Sequence, residues 1–230
     1  MPATALITGG TGGLGVAVTD RFLRGGWRAV VPWKFVRELD RVERHPRLAL
    51  VEADLFEAAP VARCVEIAAC QPDAPLGAVI NLVGGYAAGG RVHETPAEDF
   101  EAQLRLNLRP TYLVAQAAIP HLLRGGGGAI VCVSSRAAVR PFSGAAGYVV
   151  AKAAVLALVD ALVAEYRHDN IRINAILPSV IDTPANRSAQ PKADTSRWVR
   201  PEEIAETIYF LCGPEAGPVS GAHLPVYGRA

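Results

Sequence analysis

The sequence predicts an α/β fold in one domain: a doubly wound parallel sheet of about seven strands with helices on both faces. Three observations predict it. Short apolar runs alternate with helical patterns along the chain, and some of those runs are apolar at nearly every position, as in strands covered on both sides. The first run also leads through a glycine-rich turn into a helical pattern. At 230 residues the chain can bury one sizeable core, and no shift of composition marks a second domain. Residues 1–230 are therefore expected to form one unit.

Each element has its own justification. Ala3 to Thr8 read as a first strand, followed by Thr8-Gly9-Gly10-Thr11-Gly12-Gly13-Leu14-Gly15 and then by Val16, Ala17, Phe22 and Leu23 at helical spacing. Gly25-Gly26 stop that helix. Glycines at 9, 13 and 15 let the main chain approach a phosphate, and the free N–H groups of the helix start face the anion. Strand, turn and helix together point to a dinucleotide site. No Lys-Ser/Thr pair follows Gly15, which argues against an ATP-type P-loop.

Arg28 to Val31 form a second strand, closed by Pro32-Trp33-Lys34, and residues 34–47 read as the solvated face of a short helix. Leu48 to Ala53 make a third strand ending at Asp54-Leu55, with a helix over 58–71. Leu76 to Leu82 are a fourth strand, ending in Asn81-Leu82-Val83-Gly84-Gly85. Thr95-Pro96-Ala97-Glu98 has the pattern of a cap, a first-turn proline and a capping-box acid. One long helix is expected from there to about Arg124, bent near Pro110. Ala129 to Val133 give a fifth strand with Ser134-Ser135 at its C-terminal end, the edge where open parallel sheets hold ligands. A helix from Tyr148 to about Tyr166, a strand from Ile171 to Leu177, a helix from Pro201 to Cys212 and a strand from Ala222 to Tyr227 complete a Rossmann-type plan. Residues 183–200 are the least regular stretch, with Pro184, Pro191, Asp194 and Trp198, and are expected to form a substrate loop.

Composition narrows the partners. A formal net charge of +1 creates no field that would draw nucleic acid or an anionic membrane, which leaves small molecules. The start of the chain has no basic lead with an apolar core, and no stretch is expected to span a bilayer, so a cytoplasmic location is expected. Cys64, Cys70, Cys132 and Cys212 show no C-x-x-C spacing, so reduced, buried thiols and no metal site are expected.

Tyr148 and Lys152 stand four apart on one helix face. A neighbouring ammonium favours the phenolate of a tyrosine that otherwise titrates near ~10, which would suit it to proton transfer; at a surface the same pair would merely be solvated. Lys34 lies just past the second strand, where a cation suits a ribose 2′-phosphate and an acid suits a free hydroxyl; neither Trp33 nor Lys34 is an acid.

Taken together these motifs resemble the classical short-chain dehydrogenase/reductase family over nearly the whole chain. Thr8-Gly-x-x-x-Gly13-x-Gly15 is similar to its cofactor turn, Asn81-Leu-Val-Gly84 to its Asn-Asn-Ala-Gly segment, and Tyr148-Val-Val-Ala-Lys152 to its Tyr-x-x-x-Lys. Ser135, thirteen residues before Tyr148, and Asn107 match its serine and asparagine. The resemblance implies an NAD(P)(H)-dependent oxidoreductase acting on a small carbonyl compound or its alcohol. Tyr148 would be the acid/base, Ser135 would bind the substrate oxygen, Lys152 would hold the nicotinamide ribose and depress the tyrosine pKa, and Asn107 would hold a relay water. Thr8, Gly9, Thr11, Gly13, Leu14, Gly15, Lys34, Asp54, Leu55, Asn81, Gly84, Pro178, Ile181 and Thr183 would meet the cofactor together with Tyr148 and Lys152. Asp54 would reach the adenine and Thr183 the carboxamide.

Leu82 replaces the family's second asparagine, Ser179 stands where glycine is usual, and Gly12 stands where NADP-preferring members often have a base. With Lys34 present, NADP(H) is favoured over NAD(H). The resemblance also implies a homodimer or homotetramer through the helices that start near Pro96 and Tyr148. Val83-Gly84-Gly85-Tyr86-Ala87-Ala88-Gly89-Gly90 and Leu177 to Arg187 are similar to the dihydropteridine reductase branch, which makes pterin reduction an alternative. That branch does not use the serine, and this chain has Ser135. A dinucleotide-binding sensor without catalysis is the other alternative, but it would have no need of the proton donor.

Overall fold

Strands that are apolar on both faces need cover on both, and the chain supplies it. In the computed structural model, which describes residues 3–229, the strands are β1 (Thr4–Thr8), β2 (Arg28–Trp33), β3 (Leu48–Glu52), β4 (Leu76–Asn81), β5 (Gly128–Val133), β6 (Ile171–Pro178) and β7 (His223–Val226). They form one all-parallel sheet in the order β3-β2-β1-β4-β5-β6-β7. Side chains alternate between two cores. Ala5 and Ile7, Ala29 and Val31, Ala78 and Ile80, and Ala129 and Val131 face one core, closed by Val18 and Phe22 of α1 (Gly15–Arg24) and Ile204 and Ile208 of α7 (Pro201–Cys212). Leu6, Val30, Val79, Ile130 and Ile173 face the other. Val61 and Val65 of α2 (Ala58–Ala69), Val114 and Ala118 of α4 (Arg109–Arg124) and Val155 and Val159 of α5 (Ala146–Tyr166) cover it.

Several boundaries differ from expectation for identifiable reasons. Pro32 lies inside β2 rather than closing it. Arg28 N–H bonds toward β1 and Ala29 N–H toward β3, so by alternation the missing N–H of Pro32 faces β1. Pairing on that side ends at Leu6↔Val30, and no ladder bond is lost. The single long helix is two, α3 (Ala97–Asn107) and α4, with Leu108 between them, because Pro110 has no N–H for the carbonyl one turn back. Thr95 does not cap α3. Its hydroxyl donates to the Gly90 and Arg91 carbonyls, and the N-cap position is Pro96. The stretch after β2 is a 3-10 turn over Val36–Arg41. Residues 183–200 are more ordered than the sequence suggests: they contain α6 (Pro184–Ala189) and a 3-10 turn at Thr195–Arg197.

One expectation from composition is corrected. Cys64, Cys132 and Cys212 are buried and unpaired, but Cys70, at the C-cap of α2, is exposed. Helix α5, 21 residues at a mean hydropathy of 1.9, is long and apolar enough to span a bilayer. It packs as a core helix, with Ala151, Lys152, Val155, Leu156, Val159 and Leu162 buried against the rest of the fold.

Candidate active site

The crevice lies where the chain leaves β1 for β2 on one side while β4 occupies the other. Above it the turn after β1 admits no side chain at its critical points. Gly9 has φ +67°, and a Cβ on Gly15 would stand 2.6 Å from Gly10 Cα and closer still to the Gly9 carbonyl oxygen. Gly12 N–H closes the turn on the Gly9 carbonyl at 3.0 Å. The Thr8 hydroxyl ties it to β4, donating to Ile80 O (3.3 Å) and accepting from Leu82 N–H (3.2 Å). Only glycine lets the turn pack this closely on itself and on the start of α1, the form that fits a dinucleotide pyrophosphate. Thr11 donates to the carboxylate of Glu38 at 2.7 Å, so an acid read as solvated in fact braces the turn.

Lys34 and Asp54 come together at 2.7 Å. The Lys34 ammonium, and then the Phe56 N–H bonded to the same carboxylate (3.1 Å), hold the Asp54 carboxyl below its usual range. With Phe56, Ala102, Arg105 and Leu106 they line a recess of about 310 Å³ at the same sheet edge. Leu55 is different: its side chain is 7 % exposed and packs in the core, so only its main chain is available to a ligand. Asn81 is buried between Thr8 and Cys132 in the ladder, with Nδ2 3.7 Å from the Cys132 thiol and Oδ1 without a partner among the described residues.

The proposed catalytic side chains converge at the ends of β4 and β5. Ser134 turns inward and donates to Lys152 O at 2.7 Å, while Ser135, on the opposite face, accepts from Ala137 N–H at 3.1 Å and faces the Tyr148 phenol. Tyr148 is in the first turn of α5 and Lys152 in the next. Lys152 Nζ donates to Val133 O at 3.0 Å, and burial lowers its pKa to about 8. Gly84 leaves room there: a Cβ on it would lie 2.7 Å from Asn107 Oδ1 and 3.0 Å from Lys152 Nζ. Asn107, at the end of α3, clamps Gly85 by accepting its N–H (3.1 Å) and donating to its carbonyl (3.0 Å).

One electrostatic expectation fails. Burial raises the Tyr148 pKa, and the Ser135 hydroxyl pulls it down by less. The lysine does not reverse this, because its ammonium is directed at Val133 O and sits 5.9 Å from the phenol ring centroid.

The loop after β6 closes the far side. Pro178 is buried at the end of β6, Ile181 bridges Val199, and Thr183 caps α6 by accepting from Asn186 N–H at 3.2 Å. A Cβ on Gly13 would meet the Thr183 methyl at 3.0 Å, so this loop touches the glycine turn directly. Leu14 is half-buried at the start of α1. Tyr86, to which the sequence assigns no role of its own, stands perpendicular to Tyr148 with ring centroids 5.1 Å apart. Among the described residues no group of three metal-ligating side chains is found.

Comparison with known proteins agrees with this geometry. A model of the short chain dehydrogenase family matches residues 3–194. The chain belongs to the short-chain dehydrogenase/reductase family. The 2-(R)-hydroxypropyl-CoM dehydrogenase of Xanthobacter autotrophicus is 30 % identical over 246 aligned positions, covering 99 % of this chain and 98 % of that protein. A 3-ketoacyl-(acyl-carrier-protein) reductase of Brucella melitensis, solved with NADH, superposes with a TM-score of 0.87 at 29 % identity, covering 99 % and 98 %. The NADP-bound structure of ElxO shares the fold, with a TM-score of 0.91 at 23 % identity and 99 % and 98 % coverage. This short-chain dehydrogenase/reductase is an NAD(P)(H)-dependent oxidoreductase.

Proposed function

We propose that the enzyme interconverts a small carbonyl compound and its alcohol, with NADP(H) favoured over NAD(H). The observation that carries this reading is the Ser135 hydroxyl facing the Tyr148 phenol, one helical turn from a buried Lys152. The nicotinamide supplies or accepts the hydride. In reduction Tyr148 gives its proton to the carbonyl oxygen, and in oxidation it removes the proton from the alcohol. Burial favours the protonated phenol, the form that donates in reduction, whereas oxidation draws on the phenolate. Ser135 hydrogen-bonds the same oxygen as charge develops on it. Lys152 holds the nicotinamide ribose hydroxyls, and Asn107 orients the Gly84-Gly85 main chain beside it while a relay water links the lysine to solvent.

At the other end of the crevice Thr8, Gly9, Thr11, Gly13, Leu14 and Gly15 cradle the pyrophosphate, Asp54 and the Leu55 main chain meet the adenine, and Asn81 and Gly84 line the ribose. Pro178, Ile181 and Thr183 flank the nicotinamide, with Thr183 on the carboxamide and residues 183–200 over the substrate. Lys34 supports the NADP(H) preference: it is exposed at the end of β2, and a 2′-phosphate would replace Asp54 as its partner. The oligomer forms through α3, α4 and α5. Fewer than half of the residues in the apolar stretch of α5 are buried, and Leu104, Leu108, Tyr112, Ala154 and Leu158 line an open groove of about 550 Å³ on that side. We place this activity in the cytoplasm.

Tyr148→Phe tests the central role. It should lower kcat by roughly a hundredfold or more while the Kd for NADPH stays within a few-fold. Normal turnover in this variant would refute the assignment. Ser135→Ala separates carbonyl reduction from pterin reduction in the manner of the dihydropteridine branch, which would not need that hydroxyl.

A further inference from the structure

The loops that follow β4 and β5 each carry an exposed aromatic ring to the same place. Tyr86 is 62 % exposed and Phe142 is 49 % exposed, yet their rings lie 6.3 Å apart at a 47° tilt, and Tyr86 continues onto Tyr148. Among the described residues neither ring packs into either hydrophobic core. Single exposed aromatics are ordinary, but a contiguous pair that ends on the proton donor is not explained by core packing.

The loops that carry the rings are fastened to each other. Gly89 N–H donates to Gly144 O at 2.7 Å, Gly144 has φ +82°, and a Cβ there would stand 2.6 Å from Gly89 O. Only glycine permits that approach without strain. The surroundings are nearly free of charge: residues 82–90 contain no ionisable side chain except Tyr86, and residues 139–147 contain only Arg140.

We propose that Tyr86 and Phe142 form the ring-binding wall of the substrate subsite, so that the preferred substrates are carbonyl compounds conjugated to a flat unsaturated ring. The proposal rests on the oxidoreductase reading given above. A flat ring against the two aromatic faces gains edge or offset-stacking contacts that an aliphatic group of equal volume lacks. The wall starts at Tyr148, so a ring held there presents its attached carbonyl to the phenol and to Ser135. Tyr86 acts by positioning and takes no proton.

The test compares an aryl aldehyde and its ring-saturated counterpart, benzaldehyde and cyclohexanecarboxaldehyde, as substrates with NADPH. It uses the wild type, Tyr86→Ala, Tyr86→Phe and Phe142→Ala. Both aromatic positions are exposed, so the variants are expected to fold. The wild type should favour the aryl substrate in kcat/KM, and Tyr86→Ala should reduce that ratio by about tenfold, mostly through KM. Phe142→Ala should reduce it by less, and Tyr86→Phe should retain it. Calorimetry of a flat aryl carboxamide, benzamide, binding to the enzyme–NADP(H) complex gives a second readout, with an expected Kd about tenfold weaker in Tyr86→Ala. An unchanged aryl preference and unchanged benzamide Kd in Tyr86→Ala would overturn the proposal. Loss of all aldehyde turnover in the wild type would instead overturn the carbonyl reading, and the binding arm would still decide whether the aromatic wall exists.

Discussion

Lys152 allows a quantitative test of how the active site loads the fold. Its side chain is 5 % exposed, and burial lowers its pKa from the ordinary 10.5 to about 8. At about 1.36 kcal/mol per unit, the charged ammonium destabilises the folded, cofactor-free protein by roughly 3 kcal/mol at pH 7. The direction follows from the lowered value. Below pH 8 the lysine is charged in both states and the folded state bears the full penalty; between about 8 and 10.5 the penalty fades as the folded protein loses its proton first. Above 10.5 both states are neutral. Lys152→Met removes the charge and also the charge-assisted hydrogen bond to Val133 O, which returns about 2 kcal/mol. The variant should therefore be about 1 kcal/mol more stable than the wild type at pH 7, and that advantage should vanish or reverse near pH 10.5. Urea unfolding of both proteins across that range measures it. A pH-independent difference, or a Lys152→Met protein less stable at pH 7, would refute the reasoning.

Gly15→Ala should abolish tight NADPH binding and lower stability by about 3 kcal/mol or more, because the new methyl meets main-chain atoms that cannot rotate away; calorimetry and urea titration report both. Lys34→Glu should weaken NADPH relative to NADH by roughly tenfold or more in kcat/KM, the worth of a charge-assisted hydrogen bond, and an unchanged ratio would separate Lys34 from the ribose. Tyr112→Arg, in the open groove beside α5, should shift sedimentation toward the monomer, and an unchanged sedimentation coefficient would place the subunit contact elsewhere.

What was legible in the sequence was local. The Tyr148–Lys152 spacing needs only a helix, the two-residue period of a strand lets only one of Ser134 and Ser135 serve while the thirteen-residue spacing to Tyr148 selects Ser135, and the fully apolar strands imply cover on both faces. What was not legible depends on partners far along the chain. Nothing in the charge pattern of 34–47 distinguishes Glu38 from Asp40 or Glu43, yet only a fold that returns β2 beside β1 can bring Glu38 to Thr11. Thr95 matches the capping pattern, but the Gly90 and Arg91 carbonyls claim its hydroxyl first. Gly10 reads as one glycine among several, although a Cβ on it would stand 2.8 Å from Val31 Cγ1. The Tyr148 pKa is the balance of burial against the Ser135 hydroxyl, and the sequence displays the hydroxyl without the burial.

The contact between Gly13 and Thr183 has a consequence for binding. It joins the glycine turn to the loop after β6, so whatever settles one edge biases the other, and by reciprocity the bias runs both ways. A nucleotide seated in the turn would favour the arrangement of the loop that receives substrate, and a reacted substrate departing past that loop would loosen the nucleotide behind it. Such coupling predicts that nucleotide and substrate tighten each other's binding by one common factor, which calorimetry of each ligand with and without the other would measure.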